Sequence, residues 1–410
     1  MQQMRSFSSS SMLFSSSIIS VFSKFSSSLH GHAASCSLSS FLPGMPHSAT
    51  ASALWNAQPS IFRKLLDPPK EALPQTEFIS KTASQSRTNV LYSFSKDYPL
   101  REQYRDACDE VKIGNLLEDL DMLAGTVAIK HCSIDDTRTR PPFLVTASVE
   151  NMVLKKPIDV ATDMKIAGAV SWVGRSSLEV QVEVTQLKQG ESSETSDPVA
   201  LTAIFTFAAR DSTTGNSAPV NRLTAVTERE KLLLEEGHVR DRARKKKRDA
   251  QRRKSENHGT KALHSHQGIT SAEGKIFPVN ATYLENSFIC QPQNRNFYGQ
   301  IFGGFLMHQA FELAFASAYN FVGQMPRLHQ VNHVDFFRPV DVEDFLRFKS
   351  WVLFVEAMNP AQPLIHVAVE AHVTRPERKI SEMSNRFNFT FTLRDALKKG
   401  HHQSVCRSYM

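Results

Sequence analysis

One helical pattern led by glycine occurs twice in the 410-residue sequence. In one copy, apolar residues follow Gly303 and Gly304 at positions 306, 307, 310, 313 and 314, which fall on one face of a 3.6-residue period. Setting Gly114 on Gly304 aligns an earlier copy, in which Leu116 matches Leu306, Leu117 matches Met307 and Ala124 matches Ala314. The alignment indicates an internal duplication with one long buried helix in each half.

The glycines before the second helix favour a site for negative charge. The first N–H groups of a helix have no intrahelical partner and lie at the positive end of its dipole. Glycine has no side chain to keep a carbonyl or phosphate away from these groups. We therefore expect the start of this helix to hold a developing negative charge.

Each predicted helix is followed by four stretches in which β-branched or aromatic residues alternate with polar ones, as is typical of strands. They are 143–154, 165–173, 178–187 and 199–209 in the first half, and 329–337, 345–355, 364–373 and 387–393 in the second. Another strand-like stretch precedes each helix, near 90–94 and 283–290. Each half is thus predicted to hold one strand, a helix and four strands.

This order of elements resembles the hot-dog fold, an antiparallel sheet curled around a central helix, and two in one chain resemble the double hot-dog acyl-CoA thioesterases. The motifs that carry the resemblance are Asn296-x-x-Gly299-x-x-x-Gly303-Gly304, the segment 114–125, the segment 168–180, and Phe337-Arg338-Pro339-Val340-Asp341-Val342. It covers roughly residues 88–393 and is similar to the mitochondrial thioesterase 9 type and its plant relatives. The resemblance implies an α+β fold of two tandem hot-dog domains and hydrolysis of fatty acyl-CoA to fatty acid and coenzyme A.

Comparing the halves position by position identifies one acid and one amide. Asp121 lies two turns after Gly114, on the flank of the apolar stripe, and its counterpart in the second helix is Phe311. Asn296 precedes the second helix, and its counterpart before the first is Asp106. One half therefore supplies the acid and the other half supplies the amide.

The resemblance implies that the two helices pack side by side and form one composite site of Asp121, Asn296, Gly303 and Gly304, the reciprocal site being incomplete. Backbone N–H groups near the glycines would stabilise the oxyanion of thioester hydrolysis. Asp121 would act as general base on water or as nucleophile, and Asn296 would orient the water or the carbonyl. No cofactor is expected.

The same residues also have purely structural interpretations. Asp121 could be a solvated acid on the helix flank, as we expect Glu118 and Asp119 to be. Asn296 could be a turn residue or a helix cap, and the glycine pair could serve only close packing of helix on sheet.

Two other functions remain open on this fold: an enoyl-thioester hydratase or dehydratase, and a non-catalytic acyl-CoA-binding regulator. The first needs a histidine paired with an acid, and His308 is poorly placed for that role. For the thioesterase, the resemblance implies an acyl-CoA substrate with Arg175 and Arg338 as candidate coenzyme contacts. It also implies a homo-oligomer, a trimer of double hot-dogs.

The predicted division of the chain is 1–70 transit segment, 85–212 first domain, 213–275 linker, 276–395 second domain and 396–410 tail. Residues 1–66 contain no acidic residue and are rich in serine, which is typical of import into a mitochondrion or chloroplast. The alternative for this segment is a disordered tail without targeting function.

The linker carries a basic run over 240–254, without which the net charge of +7 would be close to zero. We expect a solvated, partly helical connection around the two domains rather than a specific nucleic-acid site, because no aromatic residue interrupts the run. Five cysteines without paired spacing predict neither disulfides nor a metal site, and no apolar run is long enough to span a bilayer.

Overall fold

A computed structural model of the chain describes residues 50–51, 53–54, 73–74, 78–134, 139–140, 142–187, 198–211, 213–257, 269–270, 276–277, 282–356 and 363–394. The predicted tail 396–410, and the predicted transit segment 1–70 apart from the positions just given, lie outside these residues. Within the described ranges, every helix is too short or too polar to cross a lipid bilayer.

The two predicted glycine-led helices are confirmed. The helices are α1 (Ala83–Ser86), α2 (Tyr98–Tyr104), α3 (Ile113–Cys132), α4 (Glu228–Asn257) and α5 (Gly303–Val322), with 3-10 turns at Pro292–Asn294 and Pro376–Arg378. Helices α3 and α5 are each 20 residues long and bury the apolar stripes that the sequence repeats. They also pack against each other along their first turns.

The predicted strands are confirmed with small shifts of their ends. They are β1 (Thr88–Tyr92), β2 (Phe143–Leu154), β3 (Met164–Val173), β4 (Ser177–Gln186), β5 (Val199–Arg210), β6 (Leu284–Ile289), β7 (Pro326–Phe336), β8 (Phe345–Glu356), β9 (Leu364–Arg375) and β10 (Ile380–Leu393). The largest shift is in β10, which begins at Ile380 rather than 387. Polar residues at the start of β10 hide the alternation there, and pairing with β9 extends the strand.

All ten strands form one antiparallel sheet in the order β6-β8-β9-β10-β7-β2-β5-β4-β3-β1. The order reads the same from both ends, because each half contributes five strands in matching positions. Helix α3 packs on β3 and β4, and α5 packs on β8 and β9. Three short strand pairs lie outside this sheet, namely Leu73–Pro74 with Thr139–Arg140, Ser80–Thr82 with Arg222–Thr224, and Ile269–Thr270 with Ile276–Phe277. The fold is α+β, with two hot-dog units in tandem.

The halves join where β2 pairs with β7. Val149 lies opposite Val334 and Met152 lies opposite Val331, and all four side chains are buried. The ladder therefore continues through the junction with an apolar core beneath it. This seam holds the two central helices at a set distance from each other.

The basic linker is partly helical, as expected, but it is not solvated throughout. Its helix α4 is 30 residues long and packs on β3 of the first hot-dog unit. Glu179 is fully buried on the sheet face opposite the core and forms ion pairs with Arg240 at 2.8 Å and with Arg244 at 2.6 Å. A buried carboxylate of this kind requires such partners, because desolvation of an unpaired charge is costly.

Helix α4 also approaches the sheet closely and reaches across the seam. A Cβ at Gly237 would lie 2.4 Å from Cβ of Trp172, so only glycine permits this contact. Further along, the ammonium of Lys247 lies 3.1 Å from the carboxylate of Asp335 on β7. The helix thus contacts both halves. Lys245 is largely exposed, as we expected for the whole basic run 240–254.

Candidate active site

The N-terminus of α5 contacts a carboxylate that belongs to the other half of the chain. Asp121 on α3 is 2% exposed, and its Oδ2 accepts the backbone N–H of Gly304 at 2.7 Å. Its Oδ1 accepts the hydroxyl of Thr146 on β2 at 3.1 Å. An anion at the start of a helix is stabilised by the free N–H groups and the dipole.

Glycines allow the two helices to come this close. A Cβ at Gly304 would lie 2.8 Å from Cα of Glu118, and one at Gly114 would lie 2.2 Å from the ring of His308. Both distances are shorter than any real contact of a Cβ. Glycine is therefore required at position 304, which faces backbone, whereas a side chain at position 114 would displace the ring of His308.

Burial raises the pKa of Asp121 to about 7, and this effect exceeds the lowering by the Thr146 and Gly304 hydrogen bonds. The nearby Glu118 raises the pKa further, and Glu118 is itself bound by His308 Nδ1 at 2.6 Å. Burial lowers the pKa of His308, but its bonds to Glu118 and Glu312 outweigh burial and raise it to about 9. His308 is therefore charged at neutral pH and offsets the charge of Glu118.

The expectation that Glu118 and Asp119 are solvated was wrong. Asp119 is 1% exposed and accepts the hydroxyl of Tyr92 at 2.7 Å and that of Tyr104. Glu118 lies between the helices, paired with His308. Both acids find their partners far away in the sequence, so helical spacing alone did not identify their burial.

Asn296 is held in a tight turn before α5. Its Oδ1 accepts the backbone N–H groups of Tyr298 at 2.9 Å and Gln300 at 3.2 Å. Asp106, its counterpart in the first half, binds the backbone of Cys108 and Glu110 in the same way. With the oxygen of Asn296 engaged, the remaining capacity of its amide is that of an N–H donor.

A cavity of about 540 Å³ connects these groups. Its lining includes Asp121 and Thr146 from the first half, and Asn296, Gly303 and Arg338 from the second. Most of the other lining side chains are apolar. An apolar cavity with a few converging polar groups is the usual form of a small-molecule site.

The two predicted coenzyme contacts lie in different places. Arg338 lines the cavity and forms an ion pair with Glu382. Arg175 is exposed in the turn between β3 and β4 and does not line the cavity. Arg210, at the end of β5, is a cavity-lining cation that sequence reasoning missed.

Thr146 is a second cavity residue that the sequence did not identify. It lies on β2, and the chain position alone does not distinguish it from other polar residues that alternate with buried ones along a strand. Its contact with Asp121, 25 residues away in the sequence, depends on how α3 lies on the sheet.

The position reciprocal to Asp121 holds no carboxylate, and the carboxylate reciprocal to Asn296 is paired with an arginine. Phe311, at the place of Asp121, is 6% exposed and packs against aromatic rings of β10. Asp106 forms an ion pair with Arg394 at 3.1 Å, and Arg394 also pairs with Glu110. Among the described residues, no group of three or more His, Cys, Asp or Glu side chains could hold a metal ion.

The fold defines the chain as a tandem hot-dog protein, with the buried carboxylate of Asp121 where its two halves meet. No protein-family model matches it. A chloroplastic acyl-coenzyme A thioesterase 2 from Humulus lupulus is 57% identical over 88% of this chain and 84% of that protein. A mitochondrial acyl-coenzyme A thioesterase 4 from the same plant is 51% identical over 88% of this chain and 70% of that protein.

The similarity extends to animals. The human mitochondrial acyl-coenzyme A thioesterase 9 is 33% identical over 75% of this chain and 71% of that protein. The chain belongs to the acyl-coenzyme A thioesterase family. This confirms the resemblance drawn from the glycine motifs.

Replacing Asp121 by Asn is expected to stabilise the protein above neutral pH. The carboxyl has a pKa of about 7 when folded and about 4 when unfolded, so the folded state binds more protons between these values. The Asp121 carboxyl therefore causes no loss of stability below pH 4, where it is protonated in both states. The free energy of unfolding then falls as the pH rises from 4 to 7. The unfolding free energy of Asp121→Asn should exceed that of wild type by up to about 4 kcal/mol above pH 7.

Urea denaturation at pH 4, 6 and 8 measures this difference. Asp109→Asn is the control, because that side chain is 70% exposed and should give no such pH-dependent gain. A difference between Asp121→Asn and wild type that stays constant across the three pH values would contradict the raised pKa.

Proposed function

We propose that the chain hydrolyses fatty acyl-CoA thioesters to fatty acid and coenzyme A, at one composite site of Asp121, Asn296, Gly303 and Gly304. The observation that carries the proposal is the 2.7 Å contact between Asp121 of one half and the Gly304 N–H of the other, on the 540 Å³ cavity. Its plant relatives, which carry thioesterase names, support the same reaction.

The start of α5 supplies the oxyanion donor. The first N–H that bonds within the helix turn is that of Leu306, which donates to the carbonyl of Phe302 at 3.2 Å. The N–H of Gly304 is taken by Asp121, and Gly303 lines the cavity whereas Phe305 is not among its lining residues, so the N–H of Gly303 is the donor proposed for the thioester oxygen. Removing one such donor typically lowers the rate by about 10²–10³.

Asp121 is suited to proton transfer at neutral pH, because a base works best with a pKa near the working pH. As general base it takes a proton from water, the hydroxyl oxygen bonds to the carbonyl carbon, and the C–S bond breaks. The thiolate then takes the proton from Asp121. As nucleophile it would instead form an anhydride that water cleaves. In both cases Asn296 orients the water or the carbonyl through its amide.

Arg338 on the cavity is a candidate for the phosphates of coenzyme A, because guanidinium groups bind phosphate oxygens in pairs. Arg175 stays a candidate only for a contact made across a subunit boundary. The hydratase alternative loses support, since none of the histidines in the described part of the chain lines the cavity and His308 is bound to Glu118.

The composite site predicts that both halves are needed for turnover. Asp121→Ala and Asn296→Ala should each lower kcat by about two orders of magnitude with the fold unchanged. A thiol-release assay over a series of acyl-CoA chain lengths measures this, with circular dichroism to check folding.

The reciprocal positions provide matched controls for these variants. Asp106→Ala and Phe311→Ala should keep turnover, although Phe311→Ala leaves a cavity that costs about 3–5 kcal/mol of stability. Wild-type turnover in either Asp121→Ala or Asn296→Ala would end the composite-site proposal. Binding of acyl-CoA without thiol release by wild type would favour the non-catalytic binder.

The protein is also proposed to associate, as a trimer of double hot-dogs. The support is the family resemblance, together with exposed large apolar side chains such as Tyr319 and Phe354 on the second half. Multi-angle light scattering of the active protein tests this. A stable monomer with full activity would contradict it.

Import into a mitochondrion or chloroplast is proposed for this chain. The support is the acid-free, serine-rich segment 1–66 and the relatives named chloroplastic and mitochondrial. A fluorescent protein fused behind residues 1–80 should be confined to one organelle, which also decides between the two. A signal spread through cytosol and nucleus would refute import.

We also propose that residues 85–212 and 276–395 form the two domains of the chain. The main-sheet strands of each half lie inside these limits. Preferential proteolytic cleavage of the native protein inside 85–212 rather than in 1–70 would contradict it.

A further inference from the structure

Gly125 lies in the middle of α3, where neither backbone nor packing requires glycine. It is inside a regular helix, and a Cβ built on it meets no heavy atom within 4 Å. Glycine is also among the poorest helix formers. Gly114 and Gly304 differ in this respect, because a Cβ there would collide with the facing helix.

The space beside Gly125 is part of the cavity of the proposed active site. Gly125 follows Asp121 by four residues and precedes Ile129 by four, so the three positions lie on one face of the helix. All three line the cavity, and Phe143 and Leu144 of β2 line it as well. The part of the cavity beyond Asp121, here called the α3 arm, is therefore mainly apolar, and the hydroxyl of Thr126 that also lines it donates to the carbonyl of Met122.

The second half shows the same place filled. The position of α5 that aligns with Gly125 is Phe315, by the register that sets Gly114 on Gly304. Its ring packs against Phe311 and Phe391, with ring centroids 6.0 and 6.2 Å away. Thus the half with the carboxylate has an open arm, and the half without it has two phenylalanines at the matching positions.

From this contrast we infer that Gly125 determines the acyl chain length that the site accepts, by keeping the α3 arm open for the methylene chain. The inference rests on the proposed thioesterase function, because it needs the thioester carbon at Asp121. Gly125 is about 6 Å along the helix axis from Asp121, and Ile129 about 12 Å. Because the bonds of an extended chain zigzag, each carbon–carbon bond of about 1.5 Å advances the chain by about 1.3 Å, so roughly five methylene groups reach Gly125. A side chain there would stop longer chains.

The test compares chain-length profiles. Thiol release from acetyl-, octanoyl- and palmitoyl-CoA is measured for wild type, Gly125→Ala and Gly125→Leu, and kcat/KM for palmitoyl-CoA is divided by that for acetyl-CoA. A pocket distinguishes substrates by roughly tenfold or more per methylene that does not fit. The ratio should fall at least about tenfold in Gly125→Leu and less in Gly125→Ala, whose single methyl group enters open space.

The matched control is Phe315→Leu, which changes the filled arm of the other half. It should leave the ratio within about twofold of wild type, while lowering the melting temperature through loss of packing. An unchanged ratio in Gly125→Leu and Gly125→Ala would overturn the inference and leave the thioesterase proposal standing.

Two further results of the same assays would overturn the inference. A uniform loss on all three substrates in the folded Gly125 variants would place the pantetheine in the α3 arm and overturn the inference. Absence of thiol release by wild type from every substrate would overturn the proposed function, and the inference with it.

Discussion

The contact on which the structure of the site depends is the hydrogen bond from the Gly304 N–H to Asp121, 2.7 Å across the two halves. It forms only because α3 and α5 meet at glycines, where any Cβ would collide with the other helix. The seam between β2 and β7 sets the spacing of these helices from below. A larger residue at Gly304 would therefore separate the helices and leave the carboxylate of Asp121 without its donor, in a place where an unpaired charge is strongly disfavoured.

Joining the two halves in one chain allows them to differ, and the helix contact uses this freedom. Glu118 and His308 occupy matching positions in the two helices, and they face each other as an ion pair at 2.6 Å. In a dimer of identical subunits, equivalent residues on the two-fold axis would be the same and could not carry opposite charges. The same freedom accounts for Phe311 and Phe315 in the second half, and for the pairing of Asp106 with Arg394 at the reciprocal position.

Both helices and the ten strands of the main sheet could be predicted from sequence, because their signals are local periods of 3.6 or 2 residues. The pairing of Asp121 with the glycine-led helix came from the family resemblance, and the contact agrees with it. The missed features all depend on partners distant in sequence. Buried Glu179 pairs with Arg240 and Arg244 of α4, and buried Asp119 accepts the hydroxyls of two tyrosines. The docking of α4 was missed because a basic run usually indicates a solvated face.

Two opposing effects determine the pKa of the Asp121 carboxyl. Burial disfavours its charge, whereas Thr146 and the helix N-terminus favour it, and the result is a pKa of about 7. A carboxyl at the ordinary value of about 4 would be a weaker base, and one without these hydrogen bonds would stay protonated at neutral pH. The charge of the nearby Glu118 raises the pKa further. The proton affinity of Asp121 therefore depends on residues of both halves, because Thr146 and Glu118 belong to the first half and Gly304 belongs to the second.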